Sequence, residues 1–291
     1  MTDGRHEGAC RVLVGLLEAR TGQTISPGRI WRIETALRPV MRNHGIDTLD
    51  LLVGALLAAK DKRLVGEVVD ALLNNESYFF RDHVAFDALN DEVFEDIRTR
   101  GGDGRRTMSI WLAGCSTGQE AYSIAMMLAD APHKWRGWNI RMVATDISGN
   151  AIARARAGCY SQFEIQRGLS MTRMVRWFDQ TPAGWQVKDE LRGRIDFREH
   201  SLLGDLPPSG PFDVVLCRNV LLYFAAPVRR DVFARLHDAL APQGVLMLGA
   251  GETTMGQTDV LVPSRHYRGF YGRSDDRASA PRHAPRISAG A

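Results

Sequence analysis

The sequence predicts an α/β fold in which a small N-terminal helical domain precedes a doubly wound, mostly parallel sheet. Three observations lead there. Residues 1 to about 80 carry helical periodicity and no convincing strand. From Met108 onward short apolar runs alternate with amphipathic helical stretches, the pattern of a parallel sheet with crossover helices. The composition, 44% hydrophobic and 24% charged over 291 residues with 28 Gly and 12 Pro, is that of a globular chain and excludes collagen-like, mucin-like and largely disordered classes.

Taken in order, Ser26-Pro27 reads as an N-cap with proline at the first helical position, opening a helix that runs through Arg42 to the Gly45 region. Pro39 is expected to kink or shorten it. LDLLVGALLAAKDKR and GEVVDALLN are two more apolar-striped helices, and another spans about 82–99. The glycine-rich stretch 100–106 is the clearest loop of the first half. SIWLAGC, NIRMVATD, IDFREHS, FDVVLCRN and VLMLGA read as strands. EAYSIAMMLAD, SGNAIARARA and VRRDVFARLHDAL read as the helices between them, and HYRGFYG as an added antiparallel edge strand. Residues 273–291, rich in Ser, Ala, Pro and Arg, read as a disordered tail.

Charge narrows the function. The net formal charge is +3, yet the stretch from Ser264 to the end holds six Arg and two Asp, leaving residues 1–263 at about −1. A near-neutral body lacks a nucleic-acid footprint, so no nucleic-acid partner is expected. Cys10, Cys115, Cys159 and Cys217 have neither CxxC nor zinc-finger spacing and read as reduced thiols. The histidines show no ligand spacing, so no metal is expected. The longest apolar run, Leu51–Ala59, falls far short of the ~20 residues of a membrane span, and the N-terminus has no signal-peptide core. These features predict a cytoplasmic protein without membrane insertion.

Four segments carry candidate chemistry. In LAGCSTGQEAY, Gly114 and Gly118 would let backbone approach a ligand at the C-terminal end of a strand, with Glu120 opening the next helix. The segment is not GxGxxG and has no P-loop lysine, which favours a cofactor without phosphates, such as S-adenosylmethionine. A plain strand-to-helix turn is the simpler alternative. In VATDIS, Asp146 can accept from ribose hydroxyls, although Asp146 or Ser148 could equally just cap the following helix. NNESYFFRD sets Arg81 beside Tyr78, Phe79 and Phe80, a cation suited to a carboxylate, or a helix end docking between domains. PFDVVLCRNVLLYF brings Arg218 and Asn219 to a strand end, followed by Tyr223, with Leu221, Leu222 and Phe224 as candidate core.

Together these strings, in this order and spacing over about residues 10–272, resemble the CheR family of chemotaxis receptor methyltransferases. The resemblance implies a small helical domain over 1–81 and a linker helix with glycine-rich loop over 82–107. It further implies a class I methyltransferase domain over 108–272 with a small antiparallel insertion at about 176–197. It implies transfer of a methyl group from S-adenosyl-L-methionine to receptor glutamates, with S-adenosyl-L-homocysteine as product. Carried over, Asn75, Ser77 and Arg81 would stand at the methionine end, Gly114 at the close approach, Glu120 at the amino group and Asp146 at the ribose. Arg218 and Asn219 would also contact the cofactor, and Arg81 and Tyr223 would flank the transferred methyl. Ser201 and Leu202 stand where the family has Asn-Leu on the adenine side, so the shorter serine puts that side-chain contact in doubt.

For partners, the resemblance implies the cytoplasmic helical domain of methyl-accepting chemotaxis receptors, met by a monomer. The basic helix with Arg29, Arg32, Arg38 and Arg42 against Glu34 would face their acidic helices, Arg32, Arg38 and Arg42 foremost; a merely solvated face is the alternative. Some members hold a receptor C-terminal peptide on a glycine-rich loop of the insertion. Here the stretch 179–185 is short, with one glycine and Pro182, so no C-terminal tether is expected. Two rival functions remain at this point: a cofactor-binding regulatory module with weak catalysis, and a small-molecule or RNA methyltransferase on the same fold.

Overall fold

The computed structural model describes residues 2–58, 62–101, 104, 106–207 and 210–274. The expected tail beyond residue 274 and part of the glycine-rich loop lie outside the described residues. The chain opens with helices α1 (Thr2–Thr21), α2 (Arg32–Asn43), α3 (Leu49–Ala58) and α4 (Lys62–Leu72). Their inward stripes, including Leu13, Leu17, Ile33, Leu37, Leu52, Val68 and Leu72, form a separate buried cluster.

Ser26 does not cap a long helix. Its side chain makes no capping bond, Pro27–Arg29 form a single 3-10 turn, and α2 starts only at Arg32. Pro39 sits inside α2, which runs on to Asn43. Closure near Gly45 holds: with φ of +64° this residue lets the Ile46 N–H return to the Met41 carbonyl at 2.9 Å.

The 82–99 helix is α5 (His83–Ala88) and α6 (Glu95–Gly101), joined through a π-helical turn at Leu89–Phe94. Then follow β1 (Thr107–Ala113), α7 (Gln119–Asp130), β2 (Asn139–Asp146) and α8 (Gly149–Ala157). A small antiparallel sheet comes next, from β3 (Cys159–Tyr160), β4 (Phe178–Thr181) and β5 (Gly184–Val187), with α9 (Gln162–Gln166) and α10 (Met171–Trp177) between β3 and β4. Its first strand thus lies before residue 176. The short α11 (Asp189–Arg192) leads to β6 (Ile195–Glu199), which belongs to the main sheet, so the expected 176–197 bounds shift at both ends. The chain ends with β7 (Phe212–Cys217), α12 (Ala226–Ala239), β8 (Leu240–Leu248), β9 (Leu261–Pro263) and β10 (Phe270–Arg273).

The main sheet runs β6-β2-β1-β7-β8-β10-β9, parallel from β6 to β8. Strand β10 is antiparallel as expected but lies inside the sheet, and β9 is the edge. Arg273 ends β10 and the Ser274 N–H donates to the Val260 carbonyl at 2.9 Å, so the first two residues of the expected tail belong to the fold.

Both faces of the sheet are buried along the central strands β2, β1, β7 and β8, and their alternation shows it. Ile110, Leu112, Met142, Ala144, Val214, Leu216, Val245 and Met247 join one core with α7 and Phe86. Their neighbours Trp111, Val143, Val215, Cys217, Leu246 and Leu248 join another under Val232, Phe233 and Leu236 of α12. The order reverses at β1, between β2 and β7, and that switch point opens a crevice at the strand C-termini.

Candidate active site

One cleft occupies that crevice, roofed by the segment after α4 and by the connection from α1. It is lined by Asn75, Ser77, Arg81, Gly114, Glu120, Asp146, Ser201, Leu202, Arg218, Asn219 and Tyr223 together. Every residue expected to touch the cofactor or the reacting methyl is therefore in one place. Arg32, Arg38 and Arg42 do not line it.

The glycine turn is built by steric need. Gly114 has φ of +84°, and a Cβ there would stand 2.5 Å from Val220. Gly118, at φ +93°, begins α7 against Ala155, which a Cβ would meet at 2.9 Å. Asp146 ends β2 and closes the neighbouring turn: its Oδ2 accepts from the Ser116 N–H at 2.8 Å and its Oδ1 from the Ser148 N–H at 2.9 Å. Ser148 is the cap of α8, accepting from the Ala151 N–H at 3.0 Å, so the helix-cap alternative belongs to Ser148 and leaves Asp146 facing the cleft. Burial pushes the Asp146 carboxyl above its ordinary range, against the backbone N–H groups that favour its ionised form.

Glu120 lies buried beside Arg218, which bridges it to Asp82: Nη1 donates to Glu120 Oε1 and Nη2 to Asp82 Oδ2, the latter at 2.6 Å. Burial also raises the Glu120 carboxyl, with Arg218 and Arg81 opposing. Arg81 itself stands 5.4 Å from the Tyr78 ring centroid and, among the described residues, pairs with no carboxylate. Arg167 lies over the same ring at 4.2 Å and holds Glu76 at 2.9 Å.

The segment 74–82 is irregular rather than a helix end. Phe79 pins it, edge-on to Tyr160 at 5.1 Å and Phe178 at 5.5 Å on the small sheet. Among the described non-glycine residues, Phe80, Asp82, Ser116, Asn219 and Gln243 have positive φ; Ser116 and Asn219 line the cleft, and Phe80 and Asp82 flank the lining residue Arg81. Such backbone persists where the surroundings over-determine it.

Ser201 lines the cleft; its Oγ accepts from the Leu203 N–H at 3.2 Å and keeps its O–H as a donor. Leu221 and Phe224 are core as expected, whereas Leu222 is exposed. Several cleft residues escaped the sequence reading: Thr21, Gln23, Asn74, Ser116, His200 and Val220. Behind them, Glu252 accepts from the N–H groups of Gly249, Asn219 and Leu221 at 2.9, 2.7 and 2.8 Å and so shapes the loop after β7. No local motif announces such contacts; they arise between distant segments.

The cleft fits a zwitterionic nucleoside. Among the described residues four buried side-chain atoms lack a hydrogen-bond partner, and two of them, Arg218 Nε and Asn219 Oδ1, belong to this lining. No lysine lines it, in keeping with a ligand free of phosphate. Arg81, Glu120, Arg218 and Asp146 all belong to this lining, with Asp146 at the end of β2. Among the described residues no cluster of His, Cys, Asp and Glu could hold a metal, and no helix is long and apolar enough to cross a membrane.

The sequence matches known methyltransferases over most of its length. The family description "CheR methyltransferase, SAM binding domain" matches residues 75–268. The chain is 37% identical over 247 residues to chemotaxis protein methyltransferase Cher2 of Pseudomonas putida, covering 84% of this chain and 89% of that protein. It is 38% identical over 241 residues to chemotaxis protein methyltransferase 1 of Pseudomonas aeruginosa, covering 81% and 86%. Among solved structures, the glycopeptide N-methyltransferase MtfA with S-adenosyl-L-methionine aligns at a TM-score of 0.32 and 14% identity, over 62% of this chain and 64% of that one.

Proposed function

The chain belongs to the CheR methyltransferase family and is an S-adenosylmethionine-dependent methyltransferase; on that premise we propose that it esterifies glutamate side chains in the cytoplasmic helical domain of chemotaxis receptors. The observation that carries the reading is the single cleft at the switch point, which gathers Arg81, Glu120, Asp146, Arg218 and Tyr223 from segments far apart in sequence.

In this reading Arg81 takes the cofactor's carboxylate, Glu120 its amino group and Asp146 the ribose. Arg218 fixes Glu120 from behind, while Asn75 and Ser77 border the methionine end. Leu202 and the Ser201 backbone border the adenine side, and the Ser201 hydroxyl, which accepts from the Leu203 N–H, keeps its own proton to donate there. When bound, S-adenosylmethionine supplies a sulfonium methyl, which a carboxylate oxygen takes with formation of an O–C bond as the C–S pair returns to sulfur. The acceptor glutamate, with a pKa of about 4.3, is already ionised at neutral pH. No proton moves, so the protein needs no general base. Its residues align the acceptor and exclude water, effects worth ~7–11 kcal/mol in favourable cases.

We place the helical domain at about 1–81, the linker at 82–106 and the methyltransferase domain at 107–273, so that β1 and β10 lie whole within it. The exposed Arg38 and Arg42 of α2 serve as the acceptor-docking cations. The enzyme works as a cytoplasmic monomer. It uses no C-terminal receptor tether: Thr181 pairs with Gly184, so only Pro182 and Ala183 form the turn between β4 and β5. Incubation with methyl-labelled cofactor and receptor-bearing membranes tests the function. Base-labile label on receptor glutamates is expected; label elsewhere, or none with cofactor bound, overturns it.

A further inference from the structure

We propose that Asn74, itself oriented by Arg32, is a positioning residue that sets the hydrogen-bond polarity of Tyr223, so that the phenol presents its proton to the acceptor carboxylate. The inference rests on the glutamate-methylation reading above. Arg32 belongs to α2, Asn74 follows α4, and Tyr223 ends the 3-10 turn Leu221–Tyr223 after β7. Arg32 Nη2 donates to Asn74 Oδ1 at 3.3 Å. A guanidinium has only donors, so this bond fixes the amide with its oxygen toward Arg32 and its nitrogen away. Asn74 Nδ2 then donates to the Tyr223 hydroxyl oxygen. The phenol has one hydrogen, and it cannot point at an amide that is already donating. It is left to point elsewhere, and Tyr223 lines the cleft beside Arg81, Arg218 and Asn219.

The backbone at Tyr223 is held independently. Its carbonyl accepts from the Thr24 N–H at 2.8 Å, and Gln23 bridges Phe224. Asn74 therefore governs where the phenolic proton goes rather than where the ring sits. The chemistry assigns that proton a use. The acceptor carboxylate loses charge on the way to the transition state, so a donor on the attacking oxygen would oppose reaction. A donor on the other oxygen turns the attacking one toward the methyl, which is alignment. Arg32 is thereby moved from the docking face to a place behind the cleft wall, against Asn74.

The test uses three variants of the full-length enzyme with receptor membranes, and reads kcat, receptor KM and cofactor Kd. Asn74→Leu is expected to lower kcat roughly ten- to a hundredfold while receptor KM and cofactor Kd stay within about threefold. Asn74→Asp separates polarity from scaffolding. Its carboxylate would keep or strengthen the contact with Arg32, yet it would accept the phenolic proton and draw it from the substrate. A loss in Asn74→Asp comparable to that in Asn74→Leu supports the proposal; near wild-type kcat overturns it. In a Tyr223→Phe background, Asn74→Leu should add less than about threefold, and full additivity would also overturn it. Neutron diffraction of the deuterated protein reads the polarity without turnover: a Tyr223 deuteron directed away from Asn74 supports the inference, and one directed at the Asn74 side chain overturns it. Failure of the wild type to label receptors would instead defeat the glutamate reading.

Discussion

Replacing Asp146 by alanine should cost the protein both stability and cofactor affinity, and the two losses can be measured apart. A residue at a strand end, read from sequence, is expected to be dispensable to the fold. The structure revises that expectation, because the Asp146 carboxylate holds the buried Ser116 and Ser148 N–H groups at 2.8 and 2.9 Å. Hydrogen bonds to a charged acceptor contribute ~1.5–3 kcal/mol each, and removing the acceptor leaves two buried donors bare. The same burial that raises the carboxyl's pKa offsets part of this. A net loss of about 2–4 kcal/mol follows. Asp146→Asn should lose about half as much, since its oxygen satisfies one N–H while its own amide faces the other. Urea unfolding of the free protein reads this loss. Calorimetry at a temperature where both forms are folded reads the second, a Kd raised by about ten- to a hundredfold if the ribose hydroxyls donate to this carboxylate. An unchanged urea midpoint would refute the account of the turn. A folded Asp146→Ala protein with wild-type affinity would refute the ribose assignment.

Burial raises the Asp146 and Glu120 carboxyls, so cofactor Kd should begin to climb with falling pH above the ordinary carboxylate range near about 4, with proton release on binding there. For the free protein the sign reverses, because protonating a group whose folded pKa is raised relieves the cost of burying its charge; calorimetry in buffers of different ionisation enthalpy checks the first effect and pH-resolved urea curves the second. Arg218→Met should destabilise by about 3–5 kcal/mol and abolish measurable cofactor binding, chiefly by stranding Glu120, since Asp82 is about a third exposed and keeps water as a partner. Normal melting and binding of that variant would refute the bridging role. Charge reversal of Arg38 and Arg42 should raise receptor KM and leave cofactor Kd alone, with wild-type activity falling as salt is added. Receptors lacking their last few residues should be methylated at the full-length rate, and micromolar binding of that C-terminal peptide would count against the tight β4–β5 turn as a bar to tethering.

The sequence patterns that proved legible are those whose cause is local. The strands that form the parallel part of the sheet alternate between two buried faces, as Ile110, Trp111 and Leu112 do, and leave a continuous apolar signal. Asp146, Arg218 and Asn219 could be placed in a site because parallel topology forces strand C-termini together. What escaped depends on partners distant in the chain. Strand β9 has three residues and is defined by pairing with β10, so no periodicity exists to find. Ser26 has the right type and the right following proline for a cap, but three residues of 3-10 helix intervene before α2, and the hydroxyl is left without a capping bond. Arg32 matched a basic stripe by spacing alone, whereas its rotamer answers to Asn74, 42 positions away.

The same distinction explains why a search for catalytic dyads in this sequence returns nothing while the site is rich in titratable groups. In the proposed reaction the carboxylate acceptor arrives deprotonated, so a base with a pKa near the working pH would have nothing to remove. Selection of residue types is then governed by what must be held. Glu120 and Arg218 neutralise one another in a buried pair, and Asp146 is occupied on both oxygens by its own turn. Arg81 is different: it is held between Tyr78 and the cleft with no carboxylate of its own among the described residues. Arg81 is half-buried at the mouth of the cleft, where water reaches it, and its charge favours the ionised form of Glu120, so in the free protein it adds little to stability in either direction. A ligand carboxylate would complete a charge-assisted pair with it, so Arg81→Gln should leave the stability of the free protein within about 1 kcal/mol while weakening cofactor binding by roughly ten- to a hundredfold. Differential scanning with and without cofactor separates the two. A free Arg81→Gln protein markedly less stable than wild type would mean that the guanidinium serves the fold, through Tyr78, rather than the ligand.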